Sequence, residues 1–400
     1  MSRALEKRLR NELREHAAPG ELAAGRRSWA VVEAAIAERA DLGHGGRPRR
    51  PVLRLVLVAA LLAAGLAAAL TPAGAEMGEW IQKRIGLGPE ETQPTLRGFP
   101  GGGRLLAVSD SGAWVVNPGG GMRRLGDYSE VGWSPNGLFV IGTHGHRITA
   151  VEPDGEPRWS LARPGRLSDP AWSPGDGFRV AYLERARAGT SVRVVDGSGR
   201  LDHLVARRAA RLAPAWRPGR GYVLTFAMAG SAAVLTVDAD SGRRLWSART
   251  GGAPVALAWT RDGRRLVVLL RGSLRVYGRD GRLLGERVLP AGGRARALAV
   301  HPAGRRAAVA VTRHAVSSVL SLRLDRAGAG PRQLFTGSGT FSDLAWSPNG
   351  RRLLVGWPEA NQWLLVGGRR PRAFAGVSRQ LDPGATGAGF PRLSGWCCPG

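Results

Sequence analysis

An all-β chain of seven similar four-stranded sheets, closed into a ring by its last strand, is predicted by three observations. One short phrase, an apolar strand ending in Trp-Ser-Pro-Asn-Gly or a variant of it, recurs along residues 130–400 at nearly constant spacing. A second turn phrase keeps step with the first. The ends of the repeated region are incomplete in complementary ways: three strands without a first stand at its start, and a lone first strand stands at its end.

The phrase is marked by Trp133, Trp172, Trp216, Trp259, Val300, Trp346 and Trp396. Successive intervals are 39, 44, 43, 41, 46 and 50 residues. A period near 40 to 45 residues with four short strands per unit is the sequence signature of propeller blades. In Trp133-Ser134-Pro135-Asn136-Gly137, Ser suits the first position of a type I turn, Pro fixes φ at the second, Asn tolerates the third and Gly the fourth. Apolar residues on both sides make this the turn between two hairpin strands. A Trp at the strand end is large enough to wedge between neighbouring sheets.

The second phrase comprises Pro153-Asp154-Gly155, Asp196-Gly197-Ser198-Gly199, Asp240-Ser241-Gly242 and Asp280-Gly281. Each lies 22 to 27 residues after the preceding mark, where the hairpin between third and fourth strands belongs. After Trp346 come strands near 351–357, 362–366 and 371–375, a loop of Gly and Pro, and the strand 390–396. "GRLLAVS", "GAWVVNP" and "MRRLGDY", between 103 and 128, supply the other three strands of a seventh sheet. Pairing them with 390–396 closes the ring and removes the open sheet edges of an unclosed array.

Ahead of the propeller, residues 52–75 read as a transmembrane helix: from Leu55 to Ala75 there are 21 residues without a charge. Arg47, Arg49, Arg50 and Arg54 precede it and Glu76 and Glu79 follow, which places the N-terminus inside and the propeller outside the cytoplasmic (inner) membrane. A cleaved signal peptide ending at Ala73-Gly74-Ala75 and a buried core helix are the alternatives. Residues 1–46 read as a cytoplasmic helical hairpin, with Leu5, Leu9 and Leu13 on one helix, Trp29, Val32 and Ile36 on the next, and Ala18-Pro19-Gly20 between them. Residues 76–103 read as a short juxtamembrane helix bearing Trp80, followed by a Pro- and Gly-rich linker; the propeller spans 104–400.

The phrase resembles the blade repeat of TolB-type, WD40-like β-propellers, over about residues 103–400. "VDADSGRRLWSART", 237–250, resembles the Asp-x-x-x-Gly-x-x-x-Trp turn of quinoprotein-like propellers. Val300-His301-Pro302 departs from the pattern in lacking Trp, Trp259-Thr260-Arg261-Asp262-Gly263 in lacking Pro, and Trp216-Arg217-Pro218 in replacing Ser by Arg. The layout of helical segment, anchor and outer propeller is similar to membrane-anchored propellers of high-GC bacteria.

Charge and motifs bound the function. The formal net charge is +27, but of 58 basic residues only Lys7 and Lys83 are lysines and the arginines form no dense run, so no nucleic-acid partner is expected. Neither a Gly-x-Ser-x-Gly elbow nor a phosphate-binding Walker loop occurs, and no catalytic residue, cofactor or metal is expected. His144 and His146 flank a hairpin turn and lack a third ligand. Asp238 and Asp240 begin like a calcium loop, which then fails at Arg249. Cys397 and Cys398, the only cysteines, are open to a vicinal disulfide, to pairing between chains or to packing as free thiols.

These readings favour a non-enzymatic binding or scaffolding module for an envelope protein, peptide or polymer. One alternative is a transmembrane or anti-sigma-like regulator whose 1–46 segment holds a cytoplasmic partner. Another is a quinoprotein-like enzyme, which would need carboxylates, His and Arg to converge at the mouth of the channel.

Overall fold

The computed structural model describes Leu96, Phe99 and residues 102–175, 179–326, 329–368 and 370–398. The expected hairpin 1–46, transmembrane helix 52–75 and juxtamembrane helix 76–86 lie outside these residues. Among the described residues no helix is long and apolar enough to cross a membrane.

Among the described residues, twenty-eight strands make seven four-stranded antiparallel sheets. Blade 1 contains β1 (Arg104–Ser109), β2 (Gly112–Val116) and β3 (Met122–Gly126). Blade 2 is β4 (Glu130–Trp133), β5 (Val140–His144), β6 (Arg147–Val151) and β7 (Pro157–Ala162). Blade 3 is β8 (Arg166–Trp172), β9 (Arg179–Ala186), β10 (Gly189–Asp196) and β11 (Asp202–Ala206). Blade 4 is β12 (Ala215–Arg217), β13 (Val223–Ala227), β14 (Ala233–Asp238) and β15 (Arg244–Arg249). Blade 5 is β16 (Pro254–Trp259), β17 (Arg265–Leu270), β18 (Ser273–Gly278) and β19 (Leu283–Val288). Blade 6 is β20 (Arg294–Val300), β21 (Arg306–Arg313), β22 (Val316–Arg323) and β23 (Arg332–Ser338). Blade 7 is β24 (Leu344–Trp346), β25 (Leu353–Trp357), β26 (Gln362–Val366) and β27 (Arg372–Ala375). A short helix, α1 (Val377–Leu381), then leads to β28 (Arg392–Cys397), which pairs with β1 to complete blade 1.

The first strands β28, β4, β8, β12, β16, β20 and β24 touch one another in that order and back to β28, so they line the axis of a closed ring. Period-two alternation explains how each blade serves two neighbours. In β5, Val140 packs toward blade 1 and Ile141 toward blade 3; in β25, Leu353 and Val355 face blade 6 while Leu354 faces blade 1. The core is accordingly seven separate apolar seams, one between each pair of blades.

The repeated turn has the geometry its letters predict. Gly137 N donates to Ser134 O at 3.0 Å and Phe139 N to Ser134 Oγ at 2.9 Å; in blade 7, Gly350 N donates to Ser347 O at 2.8 Å. Where the letters depart, the turn survives by substitution. Thr260 Oγ1 accepts Arg265 N at 3.1 Å, and His301 Nδ1 accepts Ala303 N at 3.0 Å.

Two features differ from the sequence reading. Leu96 and Phe99, placed in a linker, are buried: the Phe99 ring lies 5.2 Å from Phe374 and 5.0 Å from Trp396, and Leu96 N donates to Gln380 Oε1 at 2.7 Å. Burial of apolar side chains outweighs the Pro and Gly composition around them. The expected loop of Gly and Pro before β28 contains α1, whose Val377 and Leu381, four residues apart, fall on one face and fill the seam between blades 7 and 1.

Candidate functional site

All seven repeat marks stand at or near the C-terminal ends of first strands. Trp133, Trp172, Trp259, Val300 and Trp346 end β4, β8, β16, β20 and β24, while Trp216 and Trp396 are the penultimate or central residues of β12 and β28. The indole N–H of Trp216 reaches Ala171 O at 2.9 Å, that of Trp259 reaches Thr225 Oγ1 at 3.1 Å and that of Trp346 reaches Ala299 O at 3.1 Å. Each of these acceptors belongs to the preceding blade, so the ring links blades through both packing and a hydrogen bond. Trp396 Nε1 donates to Gly102 O at 3.2 Å.

Other sequence candidates are structural. His144 and His146 flank the β5–β6 turn, and His146 Nδ1 lies 2.9 Å from Gly165 O. Asp238 accepts Ser241 N at 2.9 Å within its turn; Asp240 accepts Arg179 Nε at 2.8 Å and so ties blade 4 to blade 3. Cys397 and Cys398 are joined to each other by a disulfide. Their sulfurs lie 3.8 Å from Ser134 O and Pro135 O, placing the end of β28 against the first-to-second-strand turn of blade 2.

Counting back from each Trp exposes a site that the marks themselves do not form. The residue three before the mark is Glu130 in blade 2, Asp169 in blade 3 and Asp343 in blade 7, but Ala213, Ala256 and Ala297 in blades 4, 5 and 6. In blade 1 it is Leu393, beside Arg392. This slot stands at the start or in the middle of the first strands, three residues from the marked end, so the ring brings its members toward one mouth of the channel, acidic on one side and alanine on the other.

Specific contacts hold the acidic side. The Asp169 backbone N–H donates to Glu130 Oε2 across the seam between blades 2 and 3. Asp169 adopts φ +54°, a left-handed conformation that Asp tolerates better than most residues, within the irregular pairing between Ser168 and Ala171. Ser342 Oγ donates to Asp343 Oδ2 at 2.7 Å. Arg392 Nη2 donates to Ser129 O at 2.6 Å, placing its guanidinium between the blade 7 and blade 2 carboxylates.

Burial raises all three carboxyls from their ordinary values. For Glu130 the nearby Asp169 adds to the rise, while Arg392 and Arg185 oppose it. For Asp169, Ser168, Arg185 and Arg392 oppose it, and for Asp343, Ser342, the Leu393 backbone and Arg392 do. Displaced carboxyls grouped toward one mouth make it the candidate site among the described residues.

Two other polar clusters are structural. Glu152, Asp154 and Glu156 converge at the β6–β7 turn on the opposite face, where Arg158 already engages Glu152. Asp382, 5% exposed, accepts Ser109 Oγ at 2.8 Å and also Ser111 Oγ, pinning the β1–β2 turn to the end of α1.

No protein-family model matches this chain, and no characterised protein matches its sequence. Solved structures match by shape. Hydrazine synthase of Kuenenia stuttgartiensis aligns with TM-score 0.50 and 18% identity, over 60% of this chain and 76% of that one. The β-propeller domain of Cps50 (Swd1) from Myceliophteria thermophila aligns with TM-score 0.54 and 12% identity, over 67% of this chain and 98% of that one. At these identities the likeness is one of fold: the chain is a seven-bladed, WD40-like β-propeller. A fold shared by 1341 matching chains does not select an activity.

Proposed function

We propose that this chain is a membrane-anchored, extracytoplasmic binding module of TolB-like type that recognises an envelope protein, peptide or polymer at the mouth bearing Glu130, Asp169 and Asp343. The observation that carries the reading is the shared slot: three carboxylates at one repeat position stand on one side of the ring, with Arg392 near all three, and alanine holds the slot on the other side. The uncharged stretch 55–75 and its basic flank support the anchor and its direction. Protease shaving of intact cells, following tags at both ends, tests location: loss of the C-terminal tag with survival of an anchored N-terminal fragment is expected. Affinity capture from cross-linked membranes tests the mouth. Material retained by the wild-type chain and lost with E130Q/D169N/D343N supports it, whereas equal retention refutes it.

A second reading, catalysis, is favoured by the same carboxylates, since a quinoprotein-like or lyase chemistry needs acids with raised pKa beside arginines. Against it, Glu130 Oε2 is already engaged by the Asp169 backbone. Turnover of an envelope polymer that E130Q abolishes while binding persists would select this reading.

A further inference from the structure

This inference rests on the mouth being the binding site and names the chemistry that fits it. The mouth keeps both acceptors and donors unused. Glu130 is engaged at one oxygen and Asp343 at one oxygen by a side chain. Among the described residues, no ion pair within 4.0 Å joins Glu130, Asp169 or Asp343 to any arginine. Arg185 Nε is enclosed and has no hydrogen-bond partner. Thr143, 0% exposed, stands directly opposite Glu130 in the β4–β5 ladder, so the two side chains share a face. Its Oγ1 also has no partner. Enclosed polar groups left unmatched by the chain are where ordered water or a ligand's polar atom is expected.

Charge narrows the class. A cation drawn by the carboxylates meets Arg185 and Arg392, and an anion drawn by the arginines meets three carboxylates. A single metal ion is disfavoured as well: among the described residues, the group whose ligand atoms all lie within 4.8 Å of one another is Glu152, Asp154 and Glu156, on the opposite face. A neutral hydroxyl satisfies both sets, because it donates to a carboxylate and accepts from a guanidinium. Phe390 borders Asp343, for a Cβ built on Gly356 would lie 3.3 Å from both Phe390 Cε1 and Asp343 Oδ2. An aromatic ring beside acids and arginine suits a pyranose, which is apolar on its C–H face and polar at its edge.

We propose that the mouth binds a neutral, hydroxyl-rich glycan, with Glu130, Asp169 and Asp343 accepting from hydroxyls, Arg392 donating, and Phe390 packing against a ring face. On the opposite side the slot holds Ala213, Ala256 and Ala297, which offer no charge to a ligand.

Calorimetric titration of the purified full chain with size-matched hexasaccharides tests this: chitin hexamer and cellohexaose as neutral probes, chitosan hexamer as cationic and hexagalacturonate as anionic. A neutral hexamer is expected to bind, and E130Q and D343N each to weaken it about tenfold or more, the scale of one hydrogen bond to a charged group. D154N, on the other face, is expected to leave it unchanged. A213W adds bulk at the exposed slot position of blade 4 without altering a carboxylate, and loss of binding there confirms the place even if an acidic variant fails to fold. Binding of charged hexamers alone, weakened by the same variants, overturns the neutral-glycan proposal and leaves the mouth as the site. Binding of a neutral hexamer that none of these variants weakens overturns the proposal and the mouth together. If no hexamer binds, the glycan is overturned and the capture comparison decides the mouth.

Discussion

Replacing Trp396 by alanine strikes the ring where it closes. The side chain is 9% exposed, its ring lies 5.0 Å from Phe99, and its N–H reaches Gly102 O at 3.2 Å; its backbone pairs with Leu105 of β1. Truncating a buried aromatic to alanine costs about 3–5 kcal/mol, a sum that already includes the aromatic pair and the cavity left behind. Against a total stability of about 5–15 kcal/mol this is a large fraction. With a urea slope of about 3 kcal/mol/M, the unfolding midpoint should fall by about 1 M or more. Circular dichroism of the strands against urea reads the shift without depending on the other tryptophans. A shift below about 0.3 M would mean that β28 adds little to closure, and the account of the last strand as the clasp would be wrong.

Three further outcomes follow from specific contacts. Asp202, whose side chain is 3% exposed, accepts from Tyr182 Oη at 2.5 Å and from Arg193 Nε at 3.0 Å and also engages Arg163. Asp202→Ala strands these partners and should cost about 3 kcal/mol, measured by thermal unfolding; a loss under about 1 kcal/mol contradicts the network's role. Gly137 stands at φ +68° where a Cβ would lie 2.7 Å from Cys398 Sγ, whereas Gly119 at φ +82° has open space around it. Gly137→Ala should therefore destabilise more than Gly119→Ala, since both share the backbone penalty of about 1 kcal/mol and only one adds a clash; equal losses refute the close approach. The folded-state pKa of Asp169 is raised by burial, so its contribution to stability is fully present below the ordinary aspartate pKa and is lost as pH rises through the folded value. Asp169→Asn, which keeps a side chain tolerant of positive φ, should raise the melting temperature at pH 7 and lose that gain near pH 3. A gain that persists at pH 3 refutes burial of the charge as its cause.

The fold was legible because the repeat carries its own geometry: Trp wedges, Ser and Asn cap, Pro and Gly turn. Two of the three departures were tolerable for a reason visible in atoms, since Thr260 and His301 supply acceptors where Ser stands elsewhere and Val300 still packs in its seam. Leu96, Phe99 and α1 were missed because composition around them spoke of loops, while their burial depends on a seam formed by residues nearly three hundred positions away. The mouth was missed for a related reason. Glu130 and Asp169 are 39 residues apart and Asp343 lies 174 further on; each alone is an unremarked acid in or beside a first strand. Only the ring makes them neighbours, although counting three residues back from each Trp would have aligned them.

Photo-crosslinking in intact cells tests the central claim, that the mouth at the slot is where this protein meets its ligand. A photoreactive phenylalanine at the exposed Ala213 places the probe at the alanine side of the slot, and one at Ser198 or Ser241 places it on the opposite face. Adducts from Ala213 that disappear with E130Q/D343N, and none from the two serine positions, are the predicted result. Adducts confined to Ser198 or Ser241 would contradict the claim and move the binding site to the other end of the ring.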